Sequence, residues 1–411
     1  MMNNKKIIGM TFPEVNDNPD GGLTTFLEPS ILSVLPDGDN VEFLLKNTHY
    51  NDDDIELYIC SVYISGVDSF INWAKQHDFN KIVVGGYQPT MVPEEFINYA
   101  SKIVIGPCDD ILSTIKQNGQ IVNGISNFNR IARYDLFDSR LNQQAIPDKY
   151  FDDVVVSIWT SQGCTMHCDF CCTPIMSPKL IQKPISIIKK EIEFLKLYKP
   201  KFLFIRDENF TMQHDWIDRL KIISEIKAKI YLFASANSLN EDIIKTLKKY
   251  NVYMICLGLE EITKTYTKNK NLDYVVSLLK KYGIYTYLSF IINPLDVVGE
   301  NNRKSYFEKL MKRIYELSPE MICGNFLMPF PGTIIWDKYS HLINKSDYKY
   351  YNSKIPFLVK DKNEQKQIRL ALFNYQYEYY YSDFYNNHIR EFNDDTLWDK
   401  IEGLSYYFKE L

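Results

Sequence analysis

The sequence has few cysteines for its length, eight in 411 residues. That excludes a secreted scaffold built on disulfides. It has no surplus of basic charge: 47 Lys and Arg against 52 Asp and Glu leave a net charge of −5. A basic nucleic-acid binder is therefore not indicated. No apolar run approaches the roughly 18 residues of a membrane span, so no transmembrane helix is expected. The opening MMNNKKIIGMTFPEV has an apolar run too short for a signal peptide, ending at Pro13–Glu14. No fixed-period repeat is visible. These absences predict a cytoplasmic protein with no membrane and no nucleic-acid partner. What is present is globular: 45% hydrophobic and 24% charged residues exclude disorder as the dominant state. The length predicts two or three domains. Aromatics are abundant, with 30 Tyr and 24 Phe. Three readings stay open for them: buried packing, a binding surface, or the codon bias of an AT-rich genome.

Residues 1–125 alternate short apolar runs with amphipathic segments. Strands are predicted at Lys6–Met10, Val41–Leu45, Leu57–Val62, Lys81–Val84 and Lys102–Ile105. Helices are predicted near Val67–Gln76, Pro93–Ala100 and Asp109–Gln117. This α/β pattern predicts a doubly wound, Rossmann-like parallel sheet. Gly85 and Gly86 follow a strand, where a positive-φ turn or a close ligand calls for glycine. Residues 126–152 lack periodicity and read as a linker. A second series then places strands at Val154–Thr160, Lys201–Ile205, Ile230–Ala236, Val252–Leu259, Tyr285–Ile292 and Glu320–Phe326. Helices lie between them at Ile185–Tyr198, Trp216–Ile226, Glu241–Lys249, Tyr274–Tyr282 and Ser305–Leu317. Six strand–helix repeats over residues 153–339 suggest a partial TIM-type (β/α)6 barrel. Asn240 is placed to cap the helix at Glu241. Residues 340–411 read as a mainly helical extension. Its Tyr-rich stretch Gln365–Arg390 reads as a helix covering apolar surface, with substrate lining as the alternative.

The strongest local signal is Cys164, Cys168, Cys171 and Cys172 within nine residues. The C-x3-C-x2-C spacing follows the first strand of the second series. Thiolates so spaced wrap a compact iron–sulfur cluster. Three of them on a four-iron cube leave one iron open for a chelating ligand. The loop after a barrel strand lies on the face where active sites sit. Zinc is the weaker reading, because no second C-x2-C supplies a paired knuckle. His167 reads as a solvated neighbour, and Cys172 as structural.

This loop resembles that of the radical S-adenosylmethionine superfamily, including Phe170 before the third cysteine. The resemblance continues through Phe204–Phe210, Ala234–Ser238, the Gly-x-Glu stretch Leu257–Glu261, Ser289–Asn293 and the Pro-x-Pro-Gly-Thr loop Leu327–Thr333. It implies a [4Fe–4S] cluster on Cys164, Cys168 and Cys171. It also implies reductive cleavage of S-adenosylmethionine and abstraction of hydrogen from an unactivated carbon, with electrons from a flavodoxin- or ferredoxin-type reductant. Asp207 or Glu208 would take the methionine ammonium. Ser235, Asn237 and Ser238 would lie at the ribose, Glu260 at the ribose or the carbon–sulfur end of the ligand, and Ser289 at the nucleoside. Val83–Glu95 resembles the branch that carries an N-terminal cobalamin-binding-like domain, which would make Gly85 and Gly86 cofactor contacts. There is no Asp-x-His-x-x-Gly run to supply an axial histidine, and Asp109–Asp110 stand where a Gly-Glu pair is usual. Two outcomes stay open: methylation of a peptide or natural product through methylcobalamin, or a cobalamin-free epimerisation or rearrangement. The second would need a thiol hydrogen donor, for which Cys323 and Cys256 are the candidates. A non-catalytic iron–sulfur electron carrier or sensor is the alternative from another class.

Overall fold

The structure is a computed structural model that describes residues 5–12, 29–44, 51–136, 155–264 and 266–389. The chain divides into two compact units. The first is Met1–Pro200 with Pro329–Asn352, and the second is Lys201–Met328 with Ser353–Leu411.

The first unit holds six strands: β1 (Lys6–Phe12), β2 (Val41–Leu44), β3 (Ile55–Val62), β4 (Ile82–Gly85), β5 (Lys102–Ile105) and β6 (Ile121–Asn123). They form one sheet in the order β2-β1-β3-β4-β5-β6. Every pairing is parallel, with Ile8 opposite Tyr58 and Ile59 opposite Val83. This is a doubly wound sheet whose order reverses between β1 and β3, the place where such sheets take ligands. The helix Val67–Ala74 buries Val67, Phe70, Trp73 and Ala74, one stripe at helical spacing. Phe12 meets Phe70 at 5.4 Å, and Tyr58 meets Trp73 at 5.0 Å. Helix formation at Pro93–Ala100 reduces to a 3-10 turn, Pro93–Phe96, and that at Asp109–Gln117 to Ile111–Thr114.

Part of the aperiodic stretch 126–152 lies among the described residues, and that part is packed. Phe128, Ala132 and Tyr134 are buried. Tyr134 donates to the Ser157 carbonyl at 3.1 Å, and the Ala132 amide to Glu191 Oε1 at 3.1 Å. Glu191 is paired with Lys183 at 2.7 Å, both sealed from solvent. Residues 137–152 of the linker lie outside the described residues. The strand β7 (Val155–Ile158) leads into the cysteine loop.

In the second unit, β10 (Phe202–Ile205), β11 (Lys229–Phe233), β12 (Val252–Glu260), β13 (Tyr285–Ile292) and β14 (Met321–Phe326) lie in the order β14-β13-β12-β11-β10, all parallel. Helices Trp216–Ile223, Glu241–Lys249, Leu272–Lys281 and Glu300–Leu317 alternate with them. Leu232, Ile255, Leu257 and Leu288 are fully buried on one sheet face. Asn240 caps Glu241–Lys249 by accepting from the Ile243 amide at 3.0 Å.

The Tyr-rich segment forms helices Lys362–Tyr380 and Asp383–His388. Its polar groups serve the edge of β14. Tyr380 Oη accepts from the Ile322 amide at 2.8 Å and donates to the Ile322 carbonyl at 3.0 Å. Tyr385 Oη donates to the Glu320 carbonyl, and Gln376 Oε1 accepts from the Gly324 amide. Residues 320, 322 and 324 are the alternate positions whose backbone groups a parallel edge turns outward. Part of the tyrosine excess is thus an edge cover made of side chains. Among the described residues no helix is long and apolar enough to cross a membrane.

Candidate functional site

The cysteine loop hangs from a narrow neck. β8 (Ser161–Gln162) pairs antiparallel with β9 (Ile181–Gln182), Ser161 opposite Gln182. Gly163 enters the loop at φ +94°, and a Cβ there would stand 2.5 Å from the Lys179 carbonyl oxygen. Glycine lets the two sides of the neck close. Cys164, Cys168, Cys171 and Cys172 are all half-buried, and none is in a disulfide. The Met166 amide donates to Cys164 Sγ at 3.4 Å, and the Cys171 amide to the Cys168 carbonyl at 3.1 Å. His167 is exposed. Among the described residues no three His, Cys, Asp or Glu side chains converge on a point that would hold a single metal ion. A four-iron cube holds its thiolates apart by its own width. Three half-buried thiols on a pinched loop, one with an amide turned onto its sulfur, fit that group.

Within the same unit the loop is tied at two places. The Ile335 amide donates to the Asp169 carbonyl at 3.1 Å, so the segment after Pro329–Thr333 holds the backbone between Cys168 and Cys171. The turn Thr173–Met176 after the cysteines packs against Tyr87–Met91, the helix that follows Gly85–Gly86. Gly86 has φ +101°, and a Cβ there would meet Ser61 Oγ at 2.9 Å and the Val62 amide nitrogen at 3.0 Å. Its glycine is therefore required by the neighbouring strand. Gly85 has more room, 3.4 Å from the Val104 carbonyl oxygen. Tyr63 and Tyr87, just past β3 and β4, stack at 5.3 Å.

The remaining site candidates lie in the second unit, on its strands and in the loops that follow them. Asp207 is buried and accepts from Gln213 Nε2 at 2.7 Å, whereas Glu208 is exposed. Ser235 Oγ accepts from Asn209 Nδ2 at 2.8 Å. Ser238 Oγ meets Thr211 Oγ1 at 2.7 Å and donates to the Ser235 carbonyl at 2.8 Å. These hydroxyls sit in a network centred on Asn209, while Asn237 beside them is exposed. Sequence reasoning missed Asn209 and Gln213 as partners. The only available signal was their position in the loop after β10.

Glu260 ends β12 at φ +61° and is paired with Lys268. A left-handed conformation at a bulky residue is strained and holds only where neighbours enforce it. The carboxylate folds back over Gly258: a Cβ at 258 would stand 2.8 Å from Glu260 Cδ. That is the physical reason for Gly-x-Glu here. Gly258 is in register with Ser289, and Ser289 with Cys323. Cys323 Sγ lies 3.8 Å from Lys354 Nζ, and Asn325 Nδ2 donates toward Ser289 Oγ at 3.4 Å. Cys256 is buried, and burial pushes its thiol far up, so it stays protonated. Glu260, Ser289, Cys256 and Cys323 thus share one sheet face. Lys354 joins them unforeseen, since nothing in its local sequence marks it.

Residues 160–335 match the model of the radical SAM superfamily. The bacteriochlorophyllide d C-8(2)-methyltransferase of Chlorobaculum tepidum is 24% identical over 319 residues, 69% of this chain and 68% of that protein. The C-12(1)-methyltransferase of the same organism is 21% identical over 291 residues, 66% of this chain and 62% of that protein. Among solved structures, the radical S-adenosylmethionine methyltransferase TsrM of Kitasatospora setae, with cobalamin and a [4Fe–4S] cluster bound, aligns with a TM-score of 0.58. It is 14% identical and covers 82% of this chain and 78% of that one.

Proposed function

From the premise that this chain is a radical SAM enzyme, its residues 160–335 carrying the superfamily's domain, we propose that it is a cobalamin-using methyltransferase. Its substrate would be an unactivated carbon of a natural product or peptide. The observation that carries this reading is that both curated relatives are methyltransferases over about two thirds of this chain. The TsrM structure, which has cobalamin and a [4Fe–4S] cluster bound, adds support.

When bound, the cluster supplies the electron that cleaves S-adenosylmethionine, and cobalamin supplies the metal–carbon chemistry that carries a methyl group. Cys164, Cys168 and Cys171 hold the cluster. Asp207 or Glu208 receives the methionine ammonium; Asp207 is buried and also accepts from Gln213, and Glu208 is exposed. Asn237 reaches the ribose while Ser235 and Ser238 shape the loop beneath it. Glu260 accepts hydrogen bonds from the ribose or nucleoside, and Ser289 lines the same face. The C-terminal edge of the first sheet, with Gly85, Gly86 and the Tyr63–Tyr87 stack, holds cobalamin. The packing of Thr173–Met176 on Tyr87–Met91 favours this assignment, because it brings the cysteine loop to that edge. The proposed division is a cofactor domain over 1–125, a connector over 126–152, a catalytic barrel over 153–339 and an extension over 340–411. A flavodoxin- or ferredoxin-type protein delivers the electron.

A cobalamin-free epimerase or rearrangement enzyme is the second reading. It is favoured by one observation: Cys256 and Cys323 share the inner sheet face, Cys256 as a neutral thiol. The test starts from protein isolated anaerobically from cobalamin-fed cells. Its absorbance spectrum should show cobalamin. With dithionite and S-adenosylmethionine it should release 5′-deoxyadenosine, and Cys164→Ala should not. No cleavage under several reductants would sink the proposal. Activity without cobalamin would transfer support to the thiol-donor reading.

A further inference from the structure

The last residues of β12 leave the regular course of the sheet. Gly258 pairs with Ser289 and Glu260 with Phe290, so Leu259 is an extra residue on β12. Glu260 follows it at φ +61°. A bulge of this kind re-aims a side chain, and a glutamate keeps a left-handed conformation only where its surroundings enforce it. Here one segment does so. Asn269 Nδ2 donates to the Leu259 carbonyl at 3.2 Å. Lys268 Nζ pairs with the Glu260 carboxylate. Lys264 Nζ pairs with Glu261 at 2.7 Å, and Tyr266 Oη donates to the same carboxylate at 3.4 Å. Leu259, Glu260 and Glu261 are thus each tied by the chain that follows them.

The ties differ in kind. The Glu260–Lys268 pair is nearly sealed, with side chains 8% and 18% exposed, whereas Lys264 is 37% exposed. An exposed pair holds little in place. A sealed carboxylate that loses its cation is left uncompensated and must turn away. Lys268 lies in the turn Thr267–Asn269, which packs against Ala236–Ser238. Those residues are the ones assigned above to the ribose. One turn therefore fixes Glu260 and lies against the other ribose candidates.

We propose that Lys268 is a positioning residue of the nucleoside site. Through its ion pair it holds the Glu260 carboxylate over Gly258, where that group accepts a hydrogen bond from a ribose hydroxyl. The lysine acts through the carboxylate and touches no ligand itself. The inference rests on the reading of Glu260 as a ribose contact of S-adenosylmethionine, and not on methyl transfer.

Equilibrium dialysis of the reconstituted full-length protein, with methionine present, uses adenosine, 2′-deoxyadenosine and 3′-deoxyadenosine as probes. In the wild type at least one deoxynucleoside should bind about tenfold more weakly than adenosine, the loss of one hydrogen bond to a charged acceptor. Lys268→Met should shrink that difference to within about twofold, and Lys268→Arg should keep it. Lys264→Met, on the more exposed pair of the same segment, should keep it too. A lysine that only stabilised the segment would weaken all three nucleosides alike, so a uniform loss in Lys268→Met would overturn the proposal. An undiminished difference in Lys268→Met would overturn it as well. If Lys268→Met does not fold, Lys268→Gln reads the same difference. Equal binding of the three nucleosides to the wild type, or binding of none, would remove Glu260 from the ribose and the proposal with it. Failure of the radical enzyme reading would appear separately, as no cleavage of S-adenosylmethionine under dithionite.

Discussion

Replacing Gly258 by alanine should weaken S-adenosylmethionine binding through a residue two positions away. The added Cβ would occupy the space of the Glu260 carboxylate, 2.8 Å from Cδ. Gly258 lies two residues before the end of β12, in register with Ser289. The carboxylate is the flexible group in the clash, so it must swing off the face and leave Lys268. A hydrogen bond to a charged group contributes about 1.5–3 kcal/mol. Losing one raises the dissociation constant about 10- to 150-fold. Equilibrium dialysis with labelled S-adenosylmethionine measures this directly on the cluster-loaded protein. Glu260→Gln should show a similar loss. The double variant Gly258→Ala/Glu260→Gln should be no worse than either single one, because glycine acts only through the carboxylate. Wild-type affinity in Gly258→Ala, or additive losses in the double variant, would refute the reasoning.

Three further outcomes follow from the packing. Tyr380→Phe should destabilise the second unit by about 2–4 kcal/mol in urea unfolding, since it leaves the Ile322 amide and carbonyl without the hydroxyl. Tyr377→Phe, on a 38% exposed residue of the same helix, should stay within about 0.5 kcal/mol, and equal effects would contradict the edge-cover account. Burial pushes the Glu320 carboxyl up to about 7 from 4.5. The folded chain then binds this proton more tightly than the unfolded one. Its contribution is greatest below pH 4.5, falls as pH rises to about 7, and is flat above. Glu320→Gln, which can still accept from Thr286, should therefore gain on the order of 3 kcal/mol at pH 8 over wild type and nothing at pH 4; a pH-independent difference would count against it. Gly163→Ala should open the neck of the cysteine loop and lower the iron bound per chain, and full iron loading would show that the neck is dispensable.

Strongly patterned elements were legible in the sequence. Tyr285–Ile292, Lys102–Ile105 and Glu241–Lys249 have the expected bounds, because burial and capping are written locally there. β6 was missed: three residues with two exposed give no periodic signal. The helix Tyr87–Met91 was missed because Pro89 and two preceding glycines read as a turn. The site was legible where spacing carries it, as in the cysteine loop, and as residue types at strand ends. It was not legible where chemistry depends on partners distant in sequence. Nothing near Asp207 announces that Gln213 engages it, nor near Cys323 that Lys354 lies above it. The tyrosines of 375–385 suggested a helix, but their work on the edge of β14 depends on a backbone some sixty residues away. Gly86 has a reason the sequence left open, the close approach of Val62.

The central claim is that Cys164, Cys168 and Cys171 hold a cluster with one iron open to S-adenosylmethionine. The direct measurement is electron paramagnetic resonance of the anaerobically reconstituted, dithionite-reduced protein, with and without S-adenosylmethionine. The account predicts about four irons per chain, a reduced-cluster signal whose g-values shift when S-adenosylmethionine is added, and loss of that signal in Cys164→Ala. A spectrum unchanged by S-adenosylmethionine, or a full signal in Cys164→Ala, would contradict it.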